Sequence, residues 1–347
     1  MKFTVIRHSI RNRGGDKVIL DYLSHLSEQG HAIVYWTNAV ATDFLINPKI
    51  SIKFIPIPGV VGTILFVLSK KCQQDIMLVD LVVLAFFSRL RNQNNLLYLA
   101  QGHDVSYHRS WMVKSFVRFC YRKVLNCWAV PTISVAAGLT ATLQQYRPVK
   151  LTTIPNGVNL KDFYHDLRSP LRDAGRKKSV ILVFARSDVA KGLDIAEKAL
   201  RRLAQIRQLQ DWEVWAIGAK VIRWDNIAVR NLGFVSEEKK LRSILSASDI
   251  HLVSSRSEGM SILLLQALAC ECVVVSTAAS TILTHEVDGL ISPISDPEAL
   301  AQNLNRALSD GELRNKLKRN ARRLAEKFSL QRSCEQFEVT IKDFKRL

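Results

Sequence analysis

The run Arg256-Ser257-Glu258-Gly259-Met260-Ser261-Ile262-Leu263-Leu264-Leu265-Gln266-Ala267-Leu268-Ala269-Cys270-Glu271-Cys272-Val273-Val274-Val275 decides the fold. It reads as an acidic residue on a Ser/Gly loop, a helix starting near Ser261, and a strand of valines. The helix is apolar on nearly every side, and such a helix is normally buried. Gln266 is its one long polar side chain, and a buried amide without a partner costs about 1–3 kcal/mol. The amides of Gly259, Met260, Ser261 and Ile262 form a helix N-terminus, which suits a phosphate. Glu258 before that terminus and Gln266 inside the helix are expected to bracket one polar ligand.

The same alternation of short β-rich runs and longer helical patterns extends in both directions and predicts parallel α/β units. Upstream, Met1–Ile6, Ala32–Trp36, Ile50–Ile57, Ile76–Val79, Leu96–Ala100, Cys127–Pro131 and Leu151–Ile154 read as strands. Asp16–Gln29, Ser110–Leu125 and Ser134–Gln145 read as helices. Then comes a charged stretch, His165–Lys178, containing Pro170 and Gly175 and read as a linker. A second α/β series starts at Ser179 and ends in three helices, Pro297–Ser309, Gly311–Phe328 and Leu330–Lys345. Two open parallel sheets predict a ligand at the carboxyl ends of their strands.

Composition narrows the class. A chain of 347 residues suggests two domains. No apolar run reaches the ~18–20 residues that cross a bilayer. Met1–Arg7 reads as a strand rather than a signal peptide. Cys72, Cys120, Cys127, Cys270, Cys272 and Cys334 show no C-x-x-C and no framework spacing, as in a cytoplasmic protein with reduced thiols. The net charge is +18, and residues 1–160 hold 18 Lys and Arg against 7 Asp and Glu. Such an excess favours an anionic partner, although a merely solvated basic surface is an equal reading.

Several stretches resemble the retaining glycosyltransferases of family 4 (group 1), which have the GT-B fold. Glu258 and Gln266 stand where that family has Glu-x7-Glu, with Gln in place of the second Glu. Ile154-Pro155-Asn156-Gly157-Val158-Asn159 followed by Phe163 is similar to its interdomain segment. Arg186 and Lys191-Gly192, after the strand Ser179–Ala185, resemble its G-R-L-x-x-x-K-G loop. Asn231-Leu232-Gly233-Phe234-Val235 resembles the turn beside the nucleobase. Gln101-Gly102-His103-Asp104 resembles its H-D segment, and Gly14-Gly15 is a loop where the backbone approaches a ligand. Each has a plainer reading: a solvated Arg and Lys, a tight Gly-Gly loop, a satisfied loop histidine, an ordinary strand-to-helix turn.

The resemblance implies two Rossmann-like domains facing each other across a cleft. Residues 1–163 form the acceptor side, with the helix 331–347 packing back on it, and residues 164–330 bind a nucleotide-diphosphate sugar. It implies Arg186 and Lys191 on the diphosphate, Glu258 on the sugar hydroxyls, His103 on the sugar side, and Gln266 on the ribose. Gly14, Gly15, Phe234, Gly259, Met260, Ser261 and Ile262 complete the expected donor contacts. The expected partners are a nucleotide sugar, a glycan or lipid-linked acceptor and an anionic membrane surface, with no cofactor, no metal and no nucleic acid. The membrane expectation rests on Trp111–Lys123, where aromatic and cationic residues interleave. It would place the protein at the inner face of the cell membrane.

Other chemistries lack their residues. There is no H-E-x-x-H, no Walker motif, no G-x-G-x-x-G, and no D-x-D to carry a metal-bridged diphosphate. Gly259–Leu263 lacks the second Gly of a nucleophile elbow. Three rivals stay open: a non-catalytic nucleotide-sugar-binding subunit of the same fold, a glycogen- or sucrose-type relative, and a basic nucleic-acid binder. The first is favoured by departures at Gln266, Gly259–Leu263, Glu271-Cys272 and Ala278–Ile282.

Overall fold

The computed structural model describes residues 1–69, 74–171, 176–218 and 220–346, so Cys72 and Gly175 lie outside the described residues. The chain divides into two units: Met1–Asn156 with Gln331–Leu347, and Gly157–Leu330. The change of unit thus falls after Asn156, short of the expected 163.

The first unit contains β1 (Lys2–Ile6), β2 (Ile10–Arg11), α1 (Gly14–Glu28), β3 (Ala32–Thr37), β4 (Val40–Ala41) and β5 (Ile50–Phe54). It continues with α2 (Gly59–Ser69), β6 (Ile76–Val79), α3 (Val82–Leu90), β7 (Leu96–Ala100) and α4 (Trp111–Tyr121). β8 (Thr132–Ser134), α5 (Ala137–Gln144) and β9 (Leu151–Thr153) complete its first part. Seven strands make one parallel sheet in the order β5-β3-β1-β6-β7-β8-β9; β2 and β4 pair separately. The order reverses between β1 and β6, which opens a crevice at their carboxyl ends.

The second unit contains β10 (Ser179–Phe184), α6 (Leu193–Ile206), β11 (Trp212–Ile217), β12 (Val229–Gly233), α7 (Glu238–Ala247) and β13 (Ile250–Val253). There follow α8 (Ile262–Ala269), β14 (Val273–Thr277), β15 (Leu290–Ser292), α9 (Pro297–Ser309) and α10 (Gly311–Lys327). Its parallel sheet has the order β12-β11-β10-β13-β14-β15, reversing between β10 and β13. β10, β13 and β14 are central strands, and nearly all their residues are buried. Strands covered on both faces read as near-continuous Val/Ile/Leu runs, as these do apart from His251 in β13 and the polar ends of β10 and β14. α9 and α10 start on aspartate caps, Asp296 and Asp310, whose carboxylates accept from the Ala299 and Leu313 amides.

α11 (Leu330–Arg346) leaves the second unit and stacks on the first, Phe337 lying 4.3 Å from Tyr22 with the rings nearly parallel. His25 Nε2 meets Glu338 Oε2 at 2.9 Å beside that stack.

Three readings need correction. The expected strand at Cys127–Pro131 is not one: the chain leaves α4 through π-helical turns at Arg122–Cys127, and Trp128 N bonds to Lys123 O. The strand begins only at Thr132, after Ala129 turns the backbone at φ 47°. The supposed linker is part of the second unit. Asp166 N donates to Ser246 Oγ, and Arg176 donates to Ala247 O and Asp249 Oδ2. Finally, Gln266 is half-buried rather than enclosed, because it shares a partly open face of α8 with Ile262 and Leu263.

Candidate functional site

The second unit's site sits where its strand order reverses. The loop after β10 carries Arg186 and Lys191; the loop after β13 carries Ser254, Ser255 and Glu258. The two loops are stitched together by backbone and side chains. Arg256 N donates to Ala190 O at 2.8 Å, and Ser254 Oγ donates to Lys191 O at 3.2 Å. The Arg256 guanidinium donates to Val189 O and grips both oxygens of Asp194 at 2.8 and 2.6 Å. Gly192 begins α6 at φ +63°, and a Cβ there would lie 2.0 Å from Ser254 O. Only glycine fits that crossing.

This frame brings Lys191 and Glu258 together. Lys191 Nζ donates to Glu258 Oε2 at 2.7 Å, and Ser255 Oγ donates to Glu258 Oε1 at 2.6 Å. The Glu258 side chain is only 7% exposed, so both its oxygens are bonded as a buried carboxylate requires. Ser261 caps α8, its Oγ accepting from Leu264 N. Lys191, Glu258, Ser261 and Leu263 line one pocket with Ser254, Ser255 and His251. His251 lies on β13 with Nδ1 3.4 Å from Leu182 O, and burial depresses its pKa to about 4. It is therefore a neutral imidazole.

The other expected donor residues lie outside this lining. Arg186 follows Phe184, stacks on its ring at 5.7 Å, and pairs with Asp188 Oδ2 at 2.5 Å. Phe184 itself lines the pocket, so Arg186 stands beside it rather than in it. Met260 is buried, while Gly259 and Ile262 flank the cap. Gln266 is one turn beyond Leu263 on α8. Phe234 follows the edge strand β12.

The first unit has a polar cluster of its own at the corresponding reversal. Arg7 follows β1 and reaches Asp16 Oδ1 at 2.9 Å and Asp80 Oδ2 at 3.1 Å. All three are buried, and their charges meet without aligned hydrogen bonds. Burial lifts the Asp16 pKa to about 6 against the pull of Arg7. Gly15 lies against Gln101, whose Oε1 would be 2.5 Å from a Cβ there. His103 Nε2 meets Tyr146 OH at 2.9 Å, and Tyr146 stacks on Tyr121. Burial and then Arg118 lower the His103 pKa. Asp104 accepts from the Val82 amide at 2.8 Å, and burial lifts its pKa to about 7.

The sequence reading missed Arg7, Asp16, Asp80, His251 and Arg256. Arg7 and Asp80 each follow a predicted strand directly, and His251 interrupts an apolar strand; those were the available signals.

Residues 178–310 match the family model described as glycosyl transferases group 1. The matched stretch lies within the second unit, which is thus similar in sequence to the glycosyl transferases group 1. Over 140 residues, 38% of this chain, the sequence is 29% identical to the GPI3 subunit of phosphatidylinositol N-acetylglucosaminyltransferase from Saccharomyces cerevisiae strain YJM789. That match spans 31% of the yeast subunit's own length. Among solved structures, sucrose-phosphate synthase from Thermosynechococcus elongatus superposes with TM-score 0.83 at 18% identity, covering 99% of this chain and 98% of that one. Anabaena HepE, solved with UDP-glucose, gives 0.77 at 17% identity, covering 99% and 100%. WaaG, a glycosyltransferase of lipopolysaccharide biosynthesis, gives 0.78 at 16% identity, covering 96% and 98%. The chain thus has the GT-B fold of two Rossmann-like domains.

Proposed function

We propose that the protein is a retaining, metal-independent glycosyltransferase that moves a sugar from a nucleoside-diphosphate sugar to a glycan or lipid-linked acceptor. The observation that carries this reading is the Lys191–Glu258 pair at the reversal of strand order, beside the capped start of α8. In the reaction, the anomeric carbon's bond to the diphosphate oxygen breaks, and the nucleoside diphosphate leaves with the bonding pair. The acceptor hydroxyl oxygen bonds to the anomeric carbon, and its proton passes to the departing diphosphate. Lys191, Arg186 and the amides around Ser261 offset the growing negative charge, which is where preorganised donors accelerate most. Glu258 accepts from the sugar hydroxyls. On the acceptor side, the imperfectly paired Arg7, Asp16 and Asp80 supply donors and acceptors for hydroxyls, with His103 nearby in sequence to Asp104 and Gln101.

The reading is supported by the group 1 domain match and by the UDP-glucose complex of HepE. The test incubates the protein with a panel of UDP-, GDP- and dTDP-sugars, with glycan and lipid-linked acceptors, in the presence of EDTA. Transfer with retention of anomeric configuration, undiminished by the chelator, is expected. Binding of a nucleotide sugar without transfer or hydrolysis across the panel would instead make the protein a non-catalytic subunit. Loss of transfer in EDTA that Mg²⁺ or Mn²⁺ restores would overturn the metal-free charge compensation.

A further inference from the structure

His103 is held from several directions within the first unit. It follows β7, and its carbonyl accepts from Ser106 N at 2.9 Å and from Ser106 Oγ at 2.6 Å, which fixes the backbone. Its ring lies 5.5 Å from the Tyr121 ring and 6.0 Å from that of Tyr146. Those two rings stack on each other at 4.7 Å with 14° between their planes. Tyr121 is fully buried, and its hydroxyl accepts from the Asp104 amide at 3.0 Å. Tyr146 follows α5, 43 positions beyond His103, and its own amide donates to Leu143 O at 3.0 Å.

One hydrogen bond joins the two side chains. Tyr146 OH lies 2.9 Å from His103 Nε2 and has no other hydrogen-bond partner among the described residues. Tyr146 is 5% exposed, so its hydroxyl hydrogen needs an acceptor within the protein. The lone pair of a neutral Nε2 supplies one. Were Nε2 to carry the ring proton, it would donate to the phenol oxygen and leave the phenol hydrogen unpaired. Burial and then Arg118 lower the His103 pKa, which keeps the ring neutral at pH 7. A neutral imidazole has one N–H, and the bond made by one nitrogen decides the state of the other. With Nε2 accepting, the proton sits on Nδ1. That atom has no partner among the described residues and, unlike the enclosed Nδ1 of His8, is open to solvent. A ligand can reach it.

We propose that Tyr146 is a positioning residue: its hydroxyl holds His103 as the Nδ1–H tautomer, so that the ring offers a hydrogen-bond donor to an oxygen of the bound sugar donor. The tautomer stands on the geometry of the first unit; its use on a sugar donor rests on the sugar-transfer reading. Tyr146→Phe tests both, because it removes the hydroxyl and keeps the stacked ring. Long-range ¹H–¹⁵N NMR of the full chain, labelled at its eight histidines, reads the tautomer directly, with His103→Gln assigning the signal. Wild type should show the proton on Nδ1. Tyr146→Phe should move it largely to Nε2, the nitrogen that an unconstrained neutral imidazole prefers. Kinetics with the nucleotide sugar that the donor panel selects should show kcat/KM falling about five- to tenfold in Tyr146→Phe. His103→Gln should fall at least as far, and adding Tyr146→Phe to it should cost nothing more, since Tyr146 acts through His103. A wild-type proton on Nε2, or an unchanged tautomer in Tyr146→Phe, would overturn the proposal. So would fully additive losses in the double variant, which would reduce Tyr146 to a packing role. Binding and transfer of no nucleotide sugar would sink the sugar-transfer reading and with it the ligand named here, while the tautomer still stands or falls by NMR.

Discussion

Lys191 Nζ lies 2.7 Å from Glu258 Oε2, so the second unit's two principal site residues neutralise each other across the reversal of strand order. The first unit repeats the arrangement, with Arg7 after β1 bound to Asp80 after β6. In each unit the cation and the carboxylate come from the two strands that flank the crevice. If, as proposed, a diphosphate binds here, it draws Lys191 from Glu258 and frees the carboxylate to accept from sugar hydroxyls. On that reading the exchange ties binding of the leaving group to binding of the sugar.

If Lys191 and Arg186 hold the leaving group, replacing either by Ala removes about 2–4 kcal/mol of transition-state stabilisation. Steady-state kinetics should show kcat/KM falling accordingly, with circular dichroism unchanged. The loss should be larger for Lys191, which lines the pocket, than for Arg186, which stands beside it paired with Asp188. Wild-type kcat/KM in both variants would remove the assignment.

Arg256 is expected to act through Lys191. Its guanidinium fork fixes Val189 O and Asp194, and its amide holds Ala190 O, so it sets the loop from which Lys191 projects. Arg256→Ala should lower kcat by about ten- to a hundredfold through misplacement of that loop. Arg256→Lys should recover only part, because an ammonium cannot bridge both carboxylate oxygens. Full activity of Arg256→Ala would show that the backbone contacts suffice.

Much of this site was legible from sequence because its signals are local. Glu258, the Ser261 cap and the valine strand lie within one run, and Lys191 follows a strand at short spacing. The pairing of Lys191 with Glu258 was not legible, since 67 positions separate them. The same holds for Arg7 with Asp80, whose contact depends on β1 and β6 becoming sheet neighbours. Helix α3 went unread because Val82–Phe87 is apolar throughout, and such a short run does not distinguish helix from strand. The failure at Cys127–Pro131 has another cause: Cys127 ends the π turns, and Trp128–Pro131 form an irregular connection before the strand starts at Thr132.

His251 should make stability depend on pH below neutrality. Its folded pKa of about 4 lies below the ordinary 6.5, so between those values the unfolded chain binds the extra proton. Its contribution is therefore complete above about pH 6.5 and is lost as the pH falls toward 4. Asp16 and Asp104 have the opposite sign, because their raised values favour the folded state on the acid side. The wild type must therefore be compared with His251→Val, which cannot be protonated. Melting temperatures of the two should converge, or cross in favour of the variant, as the pH drops from 7 to 4, a differential of about 3 kcal/mol for a shift of this size. Parallel melting curves across that range would show that His251 does not carry the effect.

Gln266 distinguishes a ligand contact from a helix that tolerates a polar residue. It is half-buried, and its side-chain amide makes no hydrogen bond among the described residues. It stands one turn from Leu263, which lines the pocket, on the face of α8 that the core leaves partly open. An amide in that position can both donate to and accept from a ribose hydroxyl. Gln266→Leu should keep or raise the melting temperature, because it adds apolar surface to an apolar helix. It should also weaken nucleotide binding by about 1 kcal/mol, the usual net worth of one hydrogen bond. Gln266→Glu should keep the fold and match or exceed the wild-type affinity, since a carboxylate accepts from ribose hydroxyls more strongly. Calorimetry with UDP, GDP and dTDP reads both variants against the wild type. Equal affinity in wild type and Gln266→Leu would place Gln266 outside the nucleotide's reach and leave recognition to the Lys191–Glu258 pocket.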